Sequence, residues 1–75
     1  MNKYAVIVAI NKYLRAGVKE VTAQDFYNEY VGLCRINSIT PLSKIEVGRT
    51  VGAYDRASIY HTNKGSVYYF EEEGQ

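Results

Sequence analysis

The side chains best suited to chemistry lie between Thr40 and Val51, where the chain reads T-P-L-S-K-I-E-V-G-R-T-V. On a helix, Lys44, Arg49 and Thr50 stand among apolar Ile45, Val47 and Val51. Arginine can grip a guanine edge through two hydrogen bonds, and lysine can neutralise a phosphate. A short helix carrying a few such groups is the kind that enters a DNA major groove. Arg56 and Lys64 add two cations that can meet flanking phosphates. The alternative for all five is an ordinary solvated surface. No nucleophile–base pair, carboxylate dyad or phosphate-binding loop is visible, and Gly48 and Gly52 lack the lysine and strand context of a P-loop. No catalysis, cofactor or small-molecule substrate is therefore expected.

The elements that must position these residues are marked locally. Ser43 and Glu46 form an S-x-x-E capping box, with Leu42 and Val47 as its hydrophobic staple. A helix is predicted from Lys44 to about Tyr54, separated from its predecessor by Pro41. Gly48 inside it costs about 1 kcal/mol relative to alanine and leaves room for another helix or a phosphate backbone. Thr22 and Asp25 repeat the capping device, with Val21 and Phe26 as staple, so a helix is predicted over Ala23 to Arg35. Its apolar positions are Phe26, Tyr27, Tyr30, Leu33 and Cys34.

Upstream, Val6, Ile10, Tyr13 and Leu14 recur at helical spacing and predict a first helix over Lys3 to Ala16. The β-branched run from Tyr4 to Ile10 also suits a strand, but the continuation N-K-Y-L-R-A favours the helix. Gly17 fits the position just past its end. Val18 to Val21 is a short extended piece. Downstream, Ala57 to His61 and Ser66 to Phe70 alternate on either side of Thr62-Asn63-Lys64-Gly65, which predicts a β-hairpin. Tyr60, Tyr68 and Tyr69 can stack on unpaired bases or serve as cross-strand pairs.

Composition sets the outer bounds. The chain has 75 residues, of which 47% are hydrophobic and 23% charged, as in an ordinary globular domain. One cysteine, Cys34, leaves no internal disulfide, and with one histidine, His61, a structural zinc site is not expected. Cys34 on an apolar helix face is expected to be buried, and His61 to lie at the surface. No apolar run reaches the roughly 18 residues of a membrane span, and a cytosolic location is expected. Net charge is +1, but Glu71 to Glu73 conceal a basic body. Residues 1–70 carry nine Lys/Arg against five Asp/Glu, a net of +4. That is a modest footprint for a nucleic-acid binder.

The order helix, short strand, helix, helix, hairpin is that of a winged helix-turn-helix domain of the α+β class. It is expected over residues 1–70, with an acidic tail at 71–75. From Asp25 to Phe70 the chain also resembles a known family. Phe26-Tyr27-x-x-Tyr30-x-x-Leu33-Cys34, then Pro41-Leu42-Ser43, Gly48-Arg49 and Gly65-x-x-Tyr68 look like the winged-helix domain at the C-terminus of phage and plasmid primase-helicases. Leu33 stands where that family often has tryptophan. The resemblance implies a nucleic-acid-binding module of a virus or mobile element, acting in transcription control or replication, in the host cytoplasm if viral. It does not imply primase or helicase activity. Duplex DNA is the expected partner, contacted through Lys44, Arg49, Thr50, Arg56 and Lys64. A homodimer through the first helix, with Tyr4 and Tyr13 as its contacts, would enlarge the footprint. The alternative is a winged helix that binds protein, as an adaptor or inhibitor of a host protein. No membrane partner is expected.

Overall fold

The computed structural model describes residues 2–71; of the acidic tail, Glu72 and Glu73 lie outside the described residues. Three helices, α1 (Asn2–Arg15), α2 (Ala23–Ile36) and α3 (Lys44–Gly52), pack with three strands, β1 (Glu20–Thr22), β2 (Ala57–Thr62) and β3 (Gly65–Phe70). The strands form one antiparallel sheet in the order β1-β3-β2. Tyr68 is the hinge of the register, opposite Val21 on one side and Ile59 on the other. Among the described residues, no helix is long and apolar enough to cross a membrane.

Both caps form as the sequence predicts. Thr22 and Ser43 are in extended backbone, and their hydroxyls accept the N–H groups of Asp25 and Glu46. Each satisfies one of the donors orphaned at a helix start. The C-terminal ends of α1 and α2 share a second device. After α1, Val18 N–H bonds to Tyr13 C=O and Gly17 N–H to Leu14 C=O, with Gly17 at φ 76°. After α2, Ile39 N–H bonds to Cys34 C=O and Ser38 N–H to Arg35 C=O, with Ser38 at φ 57°. Both are Schellman closures. The first uses glycine, while the second places a serine in the left-handed region.

These closures account for the shifted boundaries. Val18 is held by the end of α1, so the extended chain begins at Glu20 rather than Val18. Thr22 is at once the last residue of β1 and the cap of α2. The third helix ends at Gly52, two residues short of the predicted Tyr54, and the chain tightens there into a turn in which Tyr54 N–H bonds to Val51 C=O. The hairpin strands are each one residue longer than predicted, leaving Asn63 and Lys64 as a two-residue turn. Gly65 beside it has φ 124°, and Thr62 Oγ1 donates to its carbonyl at 2.7 Å.

The core is assembled from one face of every helix and the inner face of the sheet. Val6 and Ile10 of α1, Phe26, Tyr30 and Cys34 of α2, and Val47 and Val51 of α3 are fully buried. Tyr68 and Phe70 close it from the sheet. Phe26 lies edge-on to Tyr68 at 5.3 Å between ring centroids, and Tyr13 stacks on Phe70 at 5.7 Å. Tyr13 is thus half-buried against the core of its own chain. Tyr4 is 72% exposed.

Candidate nucleic-acid interface

Burying Val47 and Val51 turns the rest of α3 outward. Lys44, Ile45, Glu46 and Arg49 are exposed, and Thr50 is half-buried. One turn of helix rises about 5.4 Å, so Lys44 and Arg49 stand a little more than a turn apart on the accessible side. Lys44 Nζ donates to Gln24 Oε1 of α2 at 2.7 Å. That contact spans the helix pair and holds the ammonium beside the start of α2. Thr50 behaves differently. Its hydroxyl donates to the Glu46 carbonyl at 2.9 Å, one turn back. The hydroxyl hydrogen is therefore spent on the helix itself.

Between α3 and the hairpin runs an open groove of about 510 Å³. Lys44, Ile45, Gly48 and Arg49 form one wall, and Ile59, His61, Ser66 and Tyr68 the other. A Cβ added at Gly48 would lie 3.6 Å from the Tyr68 hydroxyl. The close neighbour that Gly48 admits is thus the sheet of this same chain, not another helix or a phosphate. Burial pushes the Tyr68 hydroxyl above its ordinary pKa, so it is a neutral group at the base of the groove. His61 sits opposite α3, with Nδ1 3.0 Å from Ser66 Oγ. A second groove, of about 420 Å³, borders Arg49 on its other flank, where Lys3 and Ile7 of α1 face Glu46, Thr50, Ala53 and Tyr54. Arg49 therefore stands on the ridge between two grooves.

The other two predicted contacts separate. Lys64 is exposed in the hairpin turn, next to the end of the groove marked by His61 and Ser66. Arg56 is at the opposite end of the hairpin, where its carbonyl accepts the N–H of Glu71 at 2.9 Å. Six strand residues at about 3.4 Å each put roughly 20 Å between them. The structure thus brings together Lys44, Arg49 and, at the tip, Lys64. Arg56 is outside this group, and the Thr50 hydroxyl is turned back onto α3.

His61 is the residue the sequence reading missed as part of this face. Its signal was the alternation of β2: Ala57, Ile59 and His61 share one side of the strand, and Ile59 packs on the core. The tyrosines sort by the same rule. Tyr68 faces the core and is buried, so it is withdrawn as a stacking platform. Tyr60 and Tyr69 face outward and meet edge-to-face at 4.7 Å. Hydrogen bonding to Glu20, with that carboxylate's charge, raises the Tyr69 hydroxyl above its ordinary pKa.

Among the described residues, no group of three or more His, Cys, Asp or Glu side chains is arranged to hold a metal ion. Comparison with protein-family models, curated proteins and solved structures gave no match.

Proposed function

We propose that this protein is a winged-helix DNA-binding protein that lays α3 in the major groove of a duplex. One observation carries the proposal. α3 buries Val47 and Val51 and presents Lys44 and Arg49 outward, with a hairpin carrying Lys64 beside it. The order of elements and the strand order β1-β3-β2 support the winged-helix assignment. The motif resemblance to primase-helicase C-terminal domains supports a role in transcription control or replication of a virus or mobile element. In this account Arg49 reads a base edge, Lys44 and Lys64 contact phosphates, and His61 lies within reach of the same backbone. Thr50 and Arg56 have secondary parts, as their positions dictate.

A second reading, a protein-binding winged helix, is supported by the outer sheet face. Tyr60 is 56% exposed and pairs with the exposed Tyr69 there, away from α3. Amide chemical-shift mapping of the whole chain with a mixed-sequence duplex separates the two. The DNA account predicts shifts confined to α3, residues 61–66 and the start of α2. Absence of shifts there at low salt would remove it and leave the outer sheet face as the surface to pursue.

A further inference from the structure

A helix seated in a major groove has a phosphate strand on each side. The groove is about 12 Å wide, and a helix with its side chains is about 10–12 Å across. The two flanks of α3 would therefore lie against the two backbones, and each flank borders a groove of the protein. On the hairpin side that groove brings Lys44 and His61 together, and among the described residues no carboxylate lines it. The α1 side, with its groove of about 420 Å³, is lined differently. Glu46 faces it and would repel a phosphate there. Thr50 has spent its hydroxyl hydrogen on α3 itself. Arg49 borders both grooves, and Lys3 is the cation that α1 adds to this one.

We propose that Lys3 is a phosphate contact from α1, holding the DNA strand on the far side of α3 from the hairpin. That role rests on the DNA reading of α3. It extends the footprint from α3, the hairpin tip and the start of α2 to the first turn of α1. Lys3 and Ile7 are four residues apart and share one face of α1, and both line the groove beside α3. Lys3 is exposed, and no ion pair holds it among the described residues. Lys12 of the same helix is by contrast paired, with Nζ 3.8 Å from Glu29 Oε1. The charge balance points the same way. Arg49 alone would only neutralise Glu46, whereas Arg49 and Lys3 together leave the groove positive. Nor does stability account for a lysine here. The first turn of α1 holds no acidic residue, and a cation there opposes the helix dipole.

Fluorescence anisotropy of a labelled mixed-sequence duplex with the full chain, across a salt series, tests the proposal. Lys3→Ala should make the slope of log K against log salt shallower by about 0.9 and weaken binding about fivefold at 0.1 M salt. Lys3→Arg should bind as the wild type does. Lys12→Ala removes the same charge from the same helix outside the groove, and should also bind as the wild type does. Circular dichroism of Lys3→Ala should be unchanged and its Tm equal or higher, because the lost cation opposed the dipole. Suppose the wild type binds and Lys44→Ala weakens it, but Lys3→Ala keeps the full slope. The Lys3 contact is then overturned while the DNA reading stands. Equal losses in Lys3→Ala and Lys12→Ala would overturn it too, since net charge alone would explain them. A wild type that binds no duplex in low salt would remove both.

Discussion

Tyr30 and Leu42 are joined across the connection between α2 and α3: the tyrosine oxygen accepts the Leu42 N–H at 2.9 Å. One turn away, Tyr27 donates its hydroxyl to the Leu42 carbonyl, also at 2.9 Å. Both backbone polar groups of the residue before the Ser43 cap are thus held by side chains of α2. The residue that leads into the cap of α3 is fixed by the helix that precedes it.

Removing the Tyr30 hydroxyl should be the more damaging of the two changes. Tyr30→Phe leaves a partly buried N–H without its acceptor, which costs about 1–3 kcal/mol. Tyr27→Phe leaves a carbonyl on a more open side and should cost about 0.5–1.5 kcal/mol. Urea denaturation of both variants checks the order. Equal stability of Tyr30→Phe and wild type would show that the clamp contributes nothing.

Ser38 occupies a left-handed conformation that L side chains adopt at a cost. Gly17 fills the equivalent position after α1 without that cost. Ser38→Gly should therefore stabilise the protein by up to about 1 kcal/mol, the strain relieved being partly offset by the extra freedom of glycine in the unfolded chain. A thermal melt would show it as a rise in Tm, and a fall would contradict the strain argument.

Gly48 sits within α3 with space for a methyl group, since its nearest non-local neighbour would be the Tyr68 oxygen at an ordinary contact distance. Gly48→Ala should gain helix propensity, about 1 kcal/mol at most. It should also narrow the α3–hairpin groove. Raised stability with unaltered DNA affinity would indicate that the floor of the groove does not take part in binding.

Alkaline pH should unfold the protein through its tyrosines. Burial raises the hydroxyls of Tyr13, Tyr30 and Tyr68 in the folded state; at Tyr13 the charges of Glu29 and Asp25 add to it, and at Tyr30 the Leu42 N–H offsets part of it. The unfolded chain then releases those protons first, near pH 10. The stability they contribute is fully present below that pH and is lost as pH rises toward the folded-state values. Denaturation midpoints should be flat in these groups up to about pH 9 and decline above about pH 10. Tyrosinate absorbance should rise with the unfolding signal. A midpoint that holds or climbs beyond pH 10 would contradict the assignment.

Much of the fold was legible because the signals were local. The S-x-x-E and T-x-x-D caps, Gly17, Pro41 and the alternation flanking Asn63 each fix an element within a few residues of itself. The features that stayed hidden depended on distant partners. Tyr13 was legible as part of the apolar face of α1, but nothing nearby in the chain reveals its partner Phe70, more than fifty residues on. The Leu42 clamp and the Lys44–Gln24 bond likewise join separate segments. Ser38 gave no sign, since serine rarely marks a left-handed helix end. At the site, Lys44 and Arg49 were legible from helix spacing, while the turning back of Thr50 and the separation of Arg56 from Lys64 follow from three-dimensional placement.

The central claim, that α3 grips duplex DNA through Arg49 and Lys44, is tested most directly by fluorescence anisotropy of a labelled duplex across a salt series. Each phosphate neutralised contributes roughly −0.9 to the slope of log K against log salt. A slope near −3 or steeper is predicted for the wild type. Lys44→Ala should reduce the slope by about one unit, and Arg49→Ala should weaken binding by about 1–3 kcal/mol on a preferred site. No binding at micromolar protein in low salt, or binding that neither substitution changes, would contradict the account.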